Sequence, residues 1–247
     1  MNRTDLLKAL FALLLALALL PPNAGTAEEP TRVALLTPGE GSRVPSPILV
    51  SAEIHPGPGS LARIELLDRA GRSMARQLLR LENPVENVLA SYTEELPFEI
   101  PSDEEQALLT FTLLDSYHRT IALRSTRITL LASGEAQIEP TQDDDSWLSL
   151  TQPEPLDVFT GGQFTVAGTV KPLMDGPIYL ELVADDGRVI GTAQVRVQAA
   201  GQTFDFETTL YYSYIKTLTT ARLVIRQVES AFSTTAIADS LLLGVGP

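Results

Sequence analysis

Apolar and polar side chains alternate along much of this chain with the two-residue period of an extended β-strand. Ile48, Val50 and Ala52 share one face of such a strand, while the residues between them are mostly polar. Further short runs of apolar or β-branched residues follow at 64–66, 73–81, 108–114, 121–131, 164–170, 178–183, 189–197, 204–210, 221–228 and 236–245. Turn-forming residues separate these runs. The pattern predicts an all-β protein built as a β-sandwich, without alternating strands and helices.

Two segments are ambiguous at this level. Residues 73–81 fit a strand or a helix, and the cleaner alternation of the matching segment 189–197 favours a strand. Residues 101–105 are polar and acidic. They predict a solvated loop, or a single helical turn capped by Ser102 or Asp103.

The chain carries one long internal repeat. Segments 44–50 and 64–72 resemble the later segments 161–166 and 179–188. One interval of 116 positions separates three matching pairs: Val50 and Val166, Leu66 and Leu182, and Gly71 and Gly187. A period this long indicates a duplicated domain, because the units of solenoid proteins run about 20–50 residues.

The composition between the two copies predicts the domain boundaries. Residues 135–146 are polar and acidic with few large apolar side chains, so we interpret them as a linker. The first sandwich is expected over 31–134 and the second over 147–247. About 100 residues are enough for each sandwich to hold an independent core.

Turn and core residues at the start of the first copy form a recognisable pattern: Pro38, Gly41, Val44, Ser46-Pro47-Ile48, Val50, Leu66, Asp68 and Gly71. The pattern resembles the immunoglobulin-like domain found in bacterial spore germination proteins and in many exported bacterial proteins. It is weaker in the second copy, where Gly161-Gly162 stands in place of Ser-Pro. The resemblance implies two tandem immunoglobulin-like β-sandwiches acting as a non-catalytic module of the cell envelope.

The first 27 residues have the three-part pattern of a secretory signal peptide. Arg3 and Lys8 precede the apolar run Ala9–Leu20, and small residues follow at 25–27. We expect residues 1–27 to be removed on export, which leaves a secreted or extracytoplasmic protein. The alternative is an uncleaved membrane anchor, although a membrane span needs about 20 apolar residues and this run is shorter.

The net charge of −13 narrows the expected partners. Nucleic acid is not expected, because binding it requires a basic surface, and anionic lipid is disfavoured. We expect a protein or glycan at the cell surface, with the membrane involved only if the signal segment is retained. The absence of cysteine excludes disulfides, thiol catalysis and thiolate metal sites.

No residue pattern predicts catalysis. His55 and His118 each stand alone, and no Gly-x-Ser-x-Gly motif is present. The acidic clusters fall in predicted turns, and a glycosidase would also need aromatic platforms that a chain with one Trp lacks. We therefore predict no enzyme activity, no catalytic residue and no required cofactor.

Asp143, Asp144 and Asp145 are the candidates for a metal site. Ca²⁺ prefers several carboxylate oxygens, and an ion at this point of the linker would stiffen the joint. Adjacent carboxylates on an extended chain point to opposite sides, however, and no Asp-x-Asp-x-Asp-Gly loop is present. We therefore favour a solvated acidic linker, with Ca²⁺ binding as the alternative.

The aromatic residues provide the candidates for ligand contacts. Tyr212 and Tyr214 share one face of a strand and Tyr211 takes the other, so the first two are candidate ligand-binding residues. The alternative is a cluster divided between core and surface. Trp147 is the single Trp, and we predict that it is buried. Two placements are open, one in the core of the second domain and one over the joint between the domains, and we favour the joint.

These observations lead to one expectation and one alternative. The expectation is an exported, non-catalytic binding or spacer module of the bacterial cell envelope. The alternative is a secreted enzyme or ligand-binding protein with a site at the domain junction, stiffened by Ca²⁺ in one version. A pocket at the junction lined by convergent polar groups would favour the alternative.

Overall fold

The computed structural model describes residues 32–55, 61–81, 89–139, 141, 147–213 and 215–247. These residues form sixteen β-strands and no helix, which confirms the all-β prediction. No described segment is a helix long and apolar enough to cross a membrane. The predicted signal peptide and residues 142–146 of the predicted linker lie outside the described residues.

Eight strands build the first sandwich: β1 (Arg32–Thr37), β2 (Arg43–Pro45), β3 (Ile48–His55), β4 (Leu61–Leu67), β5 (Ser73–Arg80), β6 (Ala90–Leu96), β7 (Glu104–Leu114) and β8 (Thr120–Leu131). One sheet has the order β1-β3-β6, and the facing strands have the order β5-β4-β7-β8. The short strand β2 runs parallel to the end of β8. This order is that of an immunoglobulin-like sandwich.

Eight further strands build the second sandwich: β9 (Leu148–Gln152), β10 (Val158–Phe159), β11 (Gln163–Val170), β12 (Ile178–Ala184), β13 (Val189–Val195), β14 (Phe204–Tyr212), β15 (Thr219–Glu229) and β16 (Thr234–Val245). Strands β9-β11-β14 face β13-β12-β15-β16, and β10 runs parallel to the end of β16. The strand order of the first sandwich therefore recurs, as the long repeat predicts.

Each sandwich buries its own core. Burial alternates along β11 and β12, so every second side chain points inward as the sequence period predicts. The two cores consist of separate sets of residues, represented by Ile64, Phe111 and Leu130 in the first and by Leu180, Ile225 and Leu243 in the second. Two independent cores are what a duplicated sandwich requires.

The strand registers extend the repeat beyond its visible sequence. Equivalent residues face one another across three neighbouring strands: Leu66, Leu109 and Thr126 in the first sandwich, and Leu182, Leu223 and Leu241 in the second. Because Leu66 and Leu182 are a matching pair in the sequence, Thr126 and Leu241 occupy equivalent positions on β8 and β16. The spatial repeat thus reaches the last strand of each copy.

The two copies differ at one side of the sandwich. In the second copy β13 pairs with β14, which joins the two layers, whereas β5 and β6 of the first copy form no ladder. Gly191 lies at this contact, where an added Cβ would be 2.5 Å from the Tyr211 carbonyl oxygen. Ala75 occupies the equivalent position, since it lies opposite Leu66 as Gly191 lies opposite Leu182. The missing side chain therefore lets the two layers approach.

The prediction for residues 101–105 is wrong in part. Residues 101–103 form a bend, but Glu104 and Glu105 already begin β7, and no helical turn forms. The pairing of Glu104 with Leu131 extends the ladder between β7 and β8 and so places these acidic residues on a strand. The preference for a strand over 73–81 is confirmed by β5.

Candidate functional site

The last strands of the two sandwiches pair with each other and form the joint. Leu123 on β8 lies opposite Ala238 on β16, and Arg124 lies opposite Ile237, in antiparallel orientation. Beyond this pairing, β2 covers the same edge of β8 near its end, and β10 covers the same edge of β16 near its end. One continuous sheet therefore runs through both sandwiches.

The joint has an approximate two-fold axis. Thr126 and Leu241 are equivalent, so Leu123 and Ala238, each three positions earlier, are equivalent as well. These two residues face each other in the pairing of β8 with β16. When equivalent residues of two antiparallel strands lie opposite each other, a two-fold axis passes between them, and it relates the two sandwiches locally.

Arg124 and Asp239 form an ion pair beside this axis. The two guanidinium Nη atoms donate to the two carboxylate oxygens of Asp239 over 3.1 and 3.0 Å. Nη1 also donates to the backbone carbonyls of Leu123 and Ala238. The Arg124 side chain is only 5% exposed. A bidentate, largely buried pair of this kind fixes the relative orientation of its two partners.

Trp147 belongs to the second core and also reaches the joint. Its side chain is buried, which confirms that part of the prediction, and the ring packs within the second hydrophobic core. Its indole N–H donates to the Asp239 carboxylate, the partner of Arg124. The preference for the joint as its main contact is wrong, because only the polar edge of the ring points there.

The turns near the axis contact the opposite sandwich in a reciprocal manner. In the first sandwich, Arg119 precedes β8, and its Nη1 donates to the carbonyls of Ala184 and Asp185 over 3.3 and 3.2 Å. In the second, Phe232 precedes β16 and packs against Leu67 and Leu108 as a small separate cluster. Each connection before the last strand therefore docks on the other sandwich.

Gly71 makes the Phe232 contact possible. Its φ is +73°, and an added Cβ would lie 2.9 Å from the Phe232 carbonyl oxygen. Gly187, which matches Gly71 in the sequence repeat, also has a positive φ. Gly71 has the second task of leaving room for the neighbouring sandwich, which the repeat alone did not reveal.

Asp115 holds Arg119 in place for its contact across the joint. Burial alone would raise the pKa of Asp115, but hydrogen bonds from the Arg119 amide, the Arg119 guanidinium and the Tyr117 amide outweigh it and lower the pKa. Asp68 and Arg72 form the same arrangement in the turn after β4, with two backbone amides and a guanidinium on one carboxylate. An Asp-x-x-x-Arg unit thus shapes both turns.

Two grooves, the inner and the outer groove, open at the joint. The inner groove, about 640 Å³, lies between Leu36 and Glu53 of the first sandwich and Leu173 and Met174 of the second, with Arg124 in its wall. The outer groove, about 330 Å³, lies beside the two-fold axis, because Leu123 and Ala238 are among its lining residues. Both grooves are lined by polar and apolar residues from the two sandwiches.

The structure places Tyr212 in the second core. It is buried, its ring lies 6.1 Å from that of Phe164, and its hydroxyl is within hydrogen-bond distance of the Phe159 and Gly246 carbonyls. Tyr211 is the exposed residue of this pair. Tyr212 therefore ties the short strand β10 and the end of the chain to the sandwich. A ligand-binding role for this residue stays a prediction.

Tyr214 and the three aspartates Asp143, Asp144 and Asp145 lie outside the described residues. Within the part of the chain that the structure describes, no group of three His, Asp or Glu side chains forms a metal-binding cluster. His55 ends β3 and His118 lies in the turn before β8. Among the described residues, the joint brings together polar side chains from both sandwiches.

The residues of the joint were missed at the sequence level although they carry a signal. Arg124 and Arg222 each stand inside a run that is otherwise suited to a buried strand. A charged residue in such a run needs a partner when it is buried, so it marks a specific contact. The runs were interpreted as plain core strands because their partner, a strand of the other copy, is not visible in the local pattern.

No family model and no curated protein matches this chain. Among solved structures it is similar to the fibronectin(III)-like modules of Clostridium thermocellum CbhA, at 13% identity and a TM-score of 0.25 over 87% of this chain and 94% of that one. It is similar to a tetra-tandem repeat in the extending region of a large adhesion protein, at 13% identity and a TM-score of 0.26 over 87% and 48%. It is also similar to titin domains Z1Z2 in complex with telethonin, at 12% identity and a TM-score of 0.22 over 86% and 94%.

These likenesses are too distant to carry a statement about function. The immunoglobulin-like fold of both sandwiches follows from their strand order and their two cores.

Proposed function

We propose that this protein is an exported, non-catalytic module of the bacterial cell envelope that presents or spaces a binding surface. We further propose that its first sandwich belongs with the immunoglobulin-like domains of spore germination and related exported proteins. The motif residues behind that resemblance have structural tasks: Val44 is buried, and the Ser46 hydroxyl accepts a hydrogen bond from the Phe98 amide over 3.0 Å. A motif of this kind speaks for a scaffold.

The joint is the observation that carries the proposal. Strand pairing, the Arg124–Asp239 ion pair and the packing of Phe232 connect the two sandwiches at three separate places. A module that presents or spaces a surface benefits from such a connection, because the surface keeps its orientation when the ends of the module are pulled or tethered. Tandem sandwiches on a loose linker would lack this property.

A ligand-binding protein with a site at the junction is the second candidate. The outer groove favours it, because polar side chains of both sandwiches converge there beside the two-fold axis. Clefts between domains are preferred places for small ligands, and a volume near 300 Å³ is at the lower end of the usual range.

Export is the part of the proposal that can be tested first. The full-length chain with a C-terminal tag should be recovered outside the cytoplasm of a bacterial host, with a new N-terminus after residue 27. Leu14→Arg together with Leu17→Arg should trap it inside, because charges interrupt the apolar run. The same two positions changed to Ala serve as the matched control. Cytoplasmic protein that still begins at Met1 would contradict the proposal.

A further inference from the structure

The outer groove concentrates positive charge in an acidic protein. Its lining includes four guanidinium groups and a single carboxylate, from Arg63, Arg119, Arg222, Arg226 and Glu181. The chain as a whole carries a net charge of −13. Such a local excess of one sign raises the concentration of oppositely charged ligands in a cleft.

Three of these arginines have a carboxylate partner: Arg226 has Glu181 at 2.7 Å, Arg119 has Asp115 at 2.7 Å and Arg63 has Glu65 at 3.5 Å. The last contact is weak, because Glu65 is already bound by Arg76 at 2.6 Å. The buried Nε of Arg63 has no hydrogen-bond partner among the described residues.

Arg222 lacks an ion pair altogether within the described ranges. It is only 9% exposed, and its buried Nε has no hydrogen-bond partner. Its Nη1 donates to the Ser240 hydroxyl over 3.0 Å, and that hydroxyl in turn donates to the Ile121 carbonyl. Burial lowers the pKa of Arg222. The carboxylates of Asp115 and Asp185 act against this effect, and the positive charge of Arg119 adds to it. A buried guanidinium in this state is costly to the folded protein.

The chemistry of the groove indicates which class of ligand would fit it. A guanidinium without an ion-pair partner favours a ligand with one negative charge, and its two parallel N–H groups match the two oxygens of a carboxylate. Hydroxyl groups of Thr120, Thr234 and Thr235 lie along the same lining. Hydroxyls both donate and accept hydrogen bonds, so they suit a ligand with hydroxyl groups of its own.

We infer that the outer groove binds a small hydroxylated carboxylate, such as a sugar acid, with Arg222 as the residue that takes the carboxylate and Arg63 in support. The inference deepens the ligand-binding version of the proposed function. It does not depend on export, which is tested separately by the location of the protein.

The test is a titration of the full chain with glucuronate, followed by calorimetry and by the NMR signals of the arginine Nε–H groups. We expect saturable binding with a dissociation constant of about 1 mM or tighter. Arg222→Met should weaken it at least ~10-fold, because the charge that pairs with the carboxylate is lost. Arg63→Gln should weaken it less. Arg127→Gln is the control, since Arg127 is exposed, pairs with Glu40 and lies outside this groove.

Arg222→Met also protects the test from a folding artefact. Replacing a buried unpaired charge by an apolar side chain of similar length is often neutral or stabilising, so this variant should fold, and a normal thermal transition checks it. Glucose and inorganic phosphate are the comparison ligands. No binding of glucuronate at about 20 mM, equal binding by the Arg222→Met variant, or equal binding of glucose or phosphate would each overturn the inference.

Discussion

The guanidinium group of Arg124 joins the last strands of the two sandwiches. Arg124 binds both carboxylate oxygens of Asp239 and one backbone carbonyl on each of the two paired strands. Asp239 also accepts the N–H of Trp147, so the ion pair links the joint to the second core. The charge is largely removed from water, which makes the loss of either partner costly.

We predict that Arg124→Ala lowers the free energy of unfolding by about 3 kcal/mol, because it leaves Asp239 without its counter-ion at the joint. Urea denaturation of the full chain measures the change. Arg127→Ala, three residues further along the same strand, is the matched control. Its ion pair with Glu40 is exposed on both sides, so the expected change is within about 0.5 kcal/mol. Equal losses of unfolding free energy in the two variants would show that the Arg124–Asp239 pair contributes no more to stability than an exposed ion pair.

At the scale of the element, a single glycine decides whether two layers of a sandwich touch. Gly191 allows β13 to meet β14, and the Ser213 amide donates to the Ile190 carbonyl over 2.8 Å just beside that contact. Ala75 stands at the same place in the first copy, where β5 and β6 remain apart. The methyl group of Ala75 is one difference between the two copies at this place.

We predict that Gly191→Ala separates β13 from β14 and costs about 2 kcal/mol, since the new methyl group meets the Tyr211 carbonyl. Hydrogen exchange of the Ser213 amide should become faster, and urea denaturation gives the loss of stability. Ala75→Gly is the reciprocal control, for which we expect a loss of only about 0.5–1 kcal/mol from added backbone freedom. Unchanged exchange at Ser213 in the Gly191 variant would refute this explanation of the contact.

The alternation of apolar and polar side chains predicted the strands that have one solvent-exposed face and one buried face. Strands β11 to β16 lie within a few residues of the predicted runs. The agreement is clearest for β11 and β12, which bury every second side chain. Strands β1, β2, β6, β9 and β10 were not predicted. Glu104 and Glu105 were interpreted as a loop, since their polar character conceals the pairing with the end of β8 that places them on a strand.

The joint was beyond the reach of the local pattern. It depends on the pairing of Leu123 with Ala238, which are far apart in the sequence, and on the part of each edge that β2 and β10 leave uncovered. The main contact of Trp147 was also predicted wrongly. Its ring packs in the second core, whereas its N–H donates to Asp239 at the joint. Charged residues inside apolar runs were the available clue to this site.

At the scale of the whole molecule, the two sandwiches combine independent cores with a shared boundary. The cores contain no common residue, so each sandwich has an apolar core of its own. Phe232, Leu67 and Leu108 form the apolar part of the boundary, and separation of the halves would expose them. The stability of the intact chain therefore has a contribution that neither half has alone.

We predict that residues 31–134 and 147–247, expressed separately, each unfold in one cooperative transition. Trp147 should keep the blue-shifted emission of the intact protein in the second half, because its ring lies in that core. In the intact chain, Phe232→Ser should cost about 2–4 kcal/mol. In the isolated second half it should cost less than about 0.5 kcal/mol, because Leu67 and Leu108 are already absent. A red-shifted second half, or an equal cost in both settings, would contradict the independence of the two cores.

The approximate axis at the joint gives the protein the geometry of an isologous homodimer contained in a single polypeptide. In a true homodimer the residues beside the two-fold axis meet their own copies, so position 124 would bring together two arginines and position 239 two aspartates. Duplication within one chain removes that restriction, because the two equivalent positions can carry opposite charges. Arg124 and Asp239 use this freedom. The result is a contact that favours pairing of a first with a second sandwich and opposes pairing of like sandwiches, a form of selectivity that identical subunits cannot encode.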